Sequence, residues 1–227
     1  MGMTFVVAKD CLRLGLRAGA MVFRDLRVAP SNPDQRAEIA KEAASVRSRY
    51  PNLTAIRADP FVTGFYAVSR QVGVHPKTDR CSLEKLLTYA FKRGDLPQIN
   101  NLVDAYNLVS IRTSCSLGAH DLDKIALPVS LRILNGSETF TPLGSDQPMA
   151  TKAGEFGYVD AANRLLCRLN VLQADFSKVT EATVNALVIV EATSAHCAQL
   201  MRQSFDDLAG LVTRYCGGRG EVIALPD

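Results

Sequence analysis

Residues Ala186–Ala192 read ALVIVEA, a run that is apolar at every position except Glu191. Such a run is a buried central strand, because a strand with one wet face alternates apolar and polar residues. The rest of the chain must therefore cover a sheet. Helical spacing supplies that cover. Ile39, Ala43, Val46 and Tyr50 fall on one face of a helix predicted over 34–50, which Pro51 stops. Phe61, Phe65, Val68 and Val72 mark a second helix over 62–72. Ser82 caps a third, with Leu83, Leu86, Leu87, Ala90 and Phe91 inward and Gly94 closing it. A fourth covers 98–112, and Ser194 caps a last one over 195–215.

Strands are predicted in the first 28 residues, over 129–134, and in a hairpin of 156–160 with 165–169 turning at Ala161-Ala162-Asn163. Residues 135–154 read as turns or a β-arm, and Glu221–Leu225 as an edge strand. The expected class is α/β (α+β), a central mixed β-sheet with flanking helices. With 227 residues and 47% hydrophobic content, the chain can bury one large core. It reads as a single domain, 1–227, with a more basic lobe 1–95 and a strand-rich lobe 96–227. Residues 1–100 carry 16 Lys and Arg against 9 Asp and Glu, whereas 101–227 carry 10 against 14. A basic half attracts phosphate and an acidic half suits an ammonium group, or both are ordinary solvated surfaces.

No apolar run approaches the roughly 18 residues of a membrane span, so no membrane partner is expected. The opening MGMTFVVAKDCLRLG carries an early acid and lacks a secretion-signal pattern, and Val6 stands where a myristoylation motif has Ser or Thr. The six cysteines form no CxxC pair and have no zinc spacing, so free thiols in a reducing cytoplasm are expected, with no metal and no cofactor. GxGxxG, Walker A, HExxH and GxSxG patterns are all absent. Hydrolytic chemistry here would have to activate water without a metal or a covalent nucleophile.

Glu191 stands out, since a carboxylate in an apolar strand is costly without a partner. It either faces outward, meets an Arg, or accepts a substrate hydroxyl or ammonium group. Asn100, Asp104 and Asn107 share a face of the fourth helix, where short polar residues suit a polar cavity better than plain solvent. Arg132, Asp160, Arg168 and Asn170 stand in or at the ends of strands, where sites gather and where strands also simply meet water. His120 in LGAHDLD has the chemistry of a general base or metal ligand, and equally the setting of a surface turn.

These residues carry a family resemblance. LPQINNLVDAYNLVSIRTSCSLGAHDLDKI resembles the B3/B4 segment of the phenylalanyl-tRNA synthetase beta subunit, with Val103-Asp104, Asn107 and Ala119-His120-Asp121 as the matching pieces. Arg132 followed by Gly136 and Glu138 resembles a strand ending in a GE turn, and VIVEA the strand bearing the family's glutamate. The likeness is closer to freestanding B3/B4 proteins. It runs through Pro76, Ser82 and Glu84, then LP-x-IN-x-LVD-x-YN-x-x-S from Leu96 to Ser110, FTPLG, GE-x-x-Y-x-D from Gly154 to Asp160, and Cys167 to Asn170. It covers about residues 55–195.

The resemblance implies ester hydrolysis of a wrongly attached amino acid, notably tyrosine on phenylalanine tRNA. It implies that Glu191 accepts the extra hydroxyl, that Asn107 lines the same pocket, and that the tRNA ribose assists the chemistry. On this footing Asp104, Arg132, Asp160, Asn170 and Ser110 are expected to shape the pocket and hold water or ribose. The expected partner is the aminoacylated 3′ end of tRNA, gripped by the basic lobe; no DNA partner is expected. The chain departs from the pattern where the synthetase pocket has a histidine: Gly118 stands there, with His120 two positions on. A non-catalytic RNA-binding module and a hydrolase or binder of a small metabolite are the alternatives.

Overall fold

The computed structural model of the protein describes residues 5–226; the expectations that rest on the opening MGMT lie outside them. In chain order the elements are β1 (Phe5–Val7), α1 (Lys9–Arg13), β2 (Leu16–Arg24), α2 (Pro33–Arg49), α3 (Leu53–Arg57), α4 (Pro60–Gln71), α5 (Ser82–Arg93) and α6 (Asn101–Thr113). There follow β3 (Ser116–Asp121), a 3-10 turn at Leu122–Lys124, β4 (Val129–Ile133), β5 (Phe156–Val159), β6 (Leu165–Arg168) and β7 (Leu172–Gln173). The chain ends with β8 (Ala186–Thr193), α7 (Ala198–Cys216) and β9 (Arg219–Ala224). No helix among the described residues is long and apolar enough to cross a membrane.

Helix starts follow local chemistry. Asn32, Asn52, Asp59 and Asn100 each accept a first-turn backbone N–H, and Pro33 and Pro60 open α2 and α4. Gly94 closes α5 at φ 70°, where a side chain would be strained.

The α/β class holds, but the sheet content divides in two. A four-stranded antiparallel sheet runs β3-β8-β2-β9, and a five-stranded mixed sheet runs β1-β4-β5-β6-β7, parallel only between β1 and β4. Residue parity on β8 shows how they stack. Ala186, Val188, Val190 and Ala192 pack under the helices with Leu87, Leu102, Leu108 and Leu208. Leu187 and Ile189 point the other way, against Phe5, Leu131, Phe156 and Tyr158 of the second sheet. The fold is thus helices, sheet, sheet. β8 is buried along its whole length because both its faces are covered.

The remaining differences are local. Residues 9–13 form a five-residue helix around buried Cys11, too short to show a helical period. α3 and β3 were legible as neither helix nor strand. α6 starts at Asn101 because Asn100 folds its side chain onto the N–H of Val103 at 3.0 Å. α7 starts at Ala198 because residues 193–196 make a turn in which Nδ1 of His196 accepts from the N–H of Thr193 at 3.2 Å.

Candidate functional site

Parity on β8 also fixes where Glu191 goes. Two and four residues beyond Ile189 and Leu187, it faces the inter-sheet layer and is 2% exposed. β3 pairs with β8 so that Ser116 lies opposite Glu191, Gly118 opposite Ile189 and His120 opposite Leu187. Directly paired residues share a face, so these three stand on the same side. There the two sheets do not close. A cavity of about 220 Å³ remains, walled by β3 and β8, by Tyr158 and Cys167 from β5 and β6, by Asn170–Gln173, and by Tyr106 and Asn107 of α6.

The floor of this cavity is Glu191. Its Oε2 accepts from the hydroxyl of Tyr158, while its buried Oε1 has no partner among the described residues. Burial pushes its pKa up to about 7, against the opposing pull of Tyr158 and Asn170. The Asn170 amide is close enough to ease the charge but falls short of hydrogen-bond geometry, and neither its Oδ1 nor its Nδ2 has a partner among the described residues. No Lys or Arg lines the cavity among the described residues. Burial, and then the Glu191 charge, push the Cys167 thiol up to about 12, so it stays neutral.

His120 is buried on β3, not in a surface turn. Its Nδ1 lies 2.9 Å from Oγ of Ser177, and burial lowers its pKa to about 4. At neutral pH it is an uncharged imidazole. Asn107 is half-buried and lines both this cavity and an adjoining one of about 290 Å³. Ser82, whose hydroxyl meets that of Ser116 at 2.6 Å, and Leu117 also border both.

The expected residues thus separate. Asn107, Asn170, Glu191 and His120 share one cavity. Ser110 borders only the adjoining one, with its hydroxyl turned back to the carbonyl of Tyr106 at 3.1 Å.

Four others, Asp104, Arg132, Asp160 and Arg168, do not line this cavity, and each is held in hydrogen bonds of its own. Asp104 is fully buried at the start of α6, accepting from Oγ of Ser31 at 2.5 Å and from the N–H of Ile99 at 3.0 Å. The cavity-facing stripe expected on α6 therefore shrinks to Asn107, because the first turn of the helix consumes Asn100 and Asp104. Arg132 donates to Glu138 at 2.6 Å and to Asn163 at 2.9 Å, tying β4 to the loop beyond it. Asp160 closes the β5–β6 hairpin, accepting from the backbone N–H groups of Ala162 and Arg164 and from the guanidinium of Arg164 at 2.6 Å. Arg168 holds Glu155 at 2.6 Å and Asp79 at 2.8 Å.

Tyr158, Tyr106, Ser116 and Gln173 also line the cavity, the two tyrosines as motif positions that the sequence did not single out for the site. Tyr158 had one legible sign: it shares its strand face with Phe156 yet carries a hydroxyl that burial obliges to find a partner. Among the described residues no group of three or more His, Cys, Asp or Glu is arranged to hold a metal ion.

No curated protein matches the chain. Among solved structures, it is similar to an N-terminal fragment of the phenylalanyl-tRNA synthetase beta-subunit from Pyrococcus horikoshii. The two superpose with a TM-score of 0.52 at 13% identity, over 97% of this chain and 50% of that one. The chain therefore spans about half the length of that fragment, and the likeness is one of fold. A family model described as the B3/4 domain matches residues 66–217, from within α4 to the end of α7. By that match, the chain belongs to the B3/4 domain family.

Proposed function

We propose that the chain is a metal-free hydrolase acting in trans on misacylated aminoacyl-tRNA, with the attached amino acid seated against Glu191 and Asn170. One observation carries this reading. Three buried polar atoms, Oε1 of Glu191 and both amide atoms of Asn170, have no partner among the described residues, and both residues line the same cavity. Buried polar groups are rarely left so, and a ligand that supplies donors and an acceptor would satisfy all three. An amino-acid ester is such a ligand. Its ammonium or side-chain hydroxyl would donate to Glu191 Oε1 and Asn170 Oδ1, and its carbonyl would accept from Asn170 Nδ2. The two adjoining cavities of about 220 and 290 Å³ together reach the size of small-molecule sites.

The chemistry is positioning. A water attacks the ester carbonyl, the carbon–oxygen bond to the ribose breaks, and the proton the water gives up passes through the neighbouring ribose hydroxyl to the leaving ribose oxygen. The protein holds the ester and that one water still and keeps bulk solvent away; such placement supplies up to roughly 7–11 kcal/mol of barrier lowering in favourable cases. Asn107, at the junction of the two cavities, is placed to orient the ester or the water. Such a substrate would set the protein to work in the cytoplasm.

The competing reading, an RNA-binding module without activity, draws on His120. With its pKa lowered to about 4 and its Nδ1 beside Ser177, it is a weak proton acceptor. A panel of charged tRNAs decides between them. Ester loss faster than in buffer, abolished in Glu191→Gln, supports the hydrolase. Binding that leaves every ester lifetime unchanged overturns it.

A further inference from the structure

We infer that α5 presents a channel along which a single-stranded RNA 3′ end reaches the cavity. The inference rests on the proposed function and adds to it the surface that holds the nucleic acid. The spaces on this side of the molecule share walls. Ser82, Asn107 and Leu117 border both the inner and the adjoining cavity. Lys85 and Tyr89 border both the adjoining cavity and an outer groove of about 340 Å³, whose other walls are Arg80, Thr88, Lys92 and Arg93. Residues 85, 88, 89, 92 and 93 follow helical spacing and lie along one face of α5.

The chemistry of this face fits one kind of occupant. Tyr89 is 40% exposed, a large aromatic surface set among cations. Arg80, Lys85, Lys92 and Arg93 enter no salt bridge among the described residues. A merely solvated helix face interleaves acids at i, i+4, yet no Asp or Glu stands between Lys85 and Arg93. The nearby carboxylates are engaged: Asp79 with Arg168, buried Glu84 with Tyr66 and Arg57, and Asp95 with the N–H of Leu96 and with Gln98. Unpaired cations along a groove with an aromatic platform hold phosphates and a stacked base. A duplex keeps its bases in its own stack, so an unpaired strand is the form that uses Tyr89.

The test is fluorescence anisotropy with a short unstructured RNA bearing a free 3′ end, a blunt RNA hairpin and a polyglutamate peptide. The single strand should bind best, with log Kd changing by roughly 0.7 per decade of salt for each phosphate held, about 3 in total. Charge reversal at Arg80, Lys85, Lys92 and Arg93 together should bring that slope close to zero. If this fourfold variant does not fold, Lys85→Gln and Lys92→Gln should each lower the slope by about 0.7. Tyr89→Ala should weaken binding about tenfold, and Tyr89→Phe should restore it. Equal binding of hairpin or polyglutamate, an unchanged slope, or a Tyr89→Ala protein that binds normally overturns the channel.

Two substrates separate this failure from that of the hydrolase. Charge reversal at Arg80, Lys92 and Arg93 alone, which border neither the inner nor the adjoining cavity, should leave cleavage of a 3′-aminoacyl adenosine, which keeps the ribose hydroxyl and carries no phosphate, at the wild-type rate and should slow cleavage of charged tRNA at least about tenfold. Undiminished cleavage of charged tRNA rejects the channel and spares the hydrolase. RNA binding with no ester cleavage by any form spares the channel and rejects the hydrolase.

Discussion

Tyr158, on the five-stranded sheet, donates its hydroxyl to Oε2 of Glu191, on the four-stranded sheet, so a phenol from the chain itself already occupies one carboxylate oxygen. A ligand meets the other oxygen and Asn170. Tyr158→Phe keeps the ring against Phe5, whose centroid lies 6.2 Å away, and deletes the donor. It should destabilise the protein by about 1–3 kcal/mol, since Oε2 is left buried and unpaired. It should also raise the Glu191 pKa above about 7, because the lost hydrogen bond favoured the charged form. Urea denaturation and a carbon-13 titration of the carboxyl check the two effects.

Glu191 makes stability depend on pH. Its pKa rises from an ordinary 4.5 to about 7 on folding, so between those values the folded chain binds more protons than the unfolded chain. Its contribution is fully present below pH 4.5 and is lost as pH rises through about 7. Glu191→Gln should therefore be more stable than wild type at pH 8, by on the order of 3 kcal/mol, with little difference near pH 4. A gain of equal size at both pH values would refute the shift.

Asn170 separates binding from folding. Its buried amide makes no hydrogen bond among the described residues, so Asn170→Leu removes a polar group that gains nothing from an uncharged Glu191 and, at pH 5, should raise stability by about 1 kcal/mol. The same variant should lose ester cleavage. A variant that is destabilised, or fully active, would show that the amide serves the fold or nothing.

Gly118 opens the cavity. Among the described residues no heavy atom lies within 4 Å of where a Cβ would stand, and the residue borders the inner cavity. Gly118→Val should fold with unchanged or slightly higher stability, since Gly costs a strand roughly 0.5–1 kcal/mol. It should weaken substrate binding by filling the space, which a comparison of KM with melting temperature would reveal.

Arg168 braces the cavity wall from outside. It neutralises Glu155, which is 5% exposed at its side chain, and tethers Asp79 in the segment that leads into α5. Arg168→Ala leaves a buried carboxylate without its partner and should cost about 3–5 kcal/mol. Arg168→Ala with Glu155→Leu should recover most of that loss in chemical denaturation.

The sequence determined the parts whose signal is local. Periodicity located α2, α4, α5 and α6, capping residues located their ends to within a few positions, and an uninterrupted apolar run located β8 as a central strand. Glu191 and Asn107 were legible as polar residues out of keeping with their surroundings. What depended on long-range pairing was not legible. Two sheets with one shared layer arise because β8 is covered on both sides, and an apolar run does not say by what. Asp104, Arg132 and Asp160 have the same composition signal as site residues. Only the tertiary structure supplied Ser31, Glu138 and the hairpin backbone as their partners. The cavity itself exists because Ser116, Gly118 and His120 meet Glu191 and Ile189 in register across strands some 70 residues apart, a pairing that no local pattern encodes.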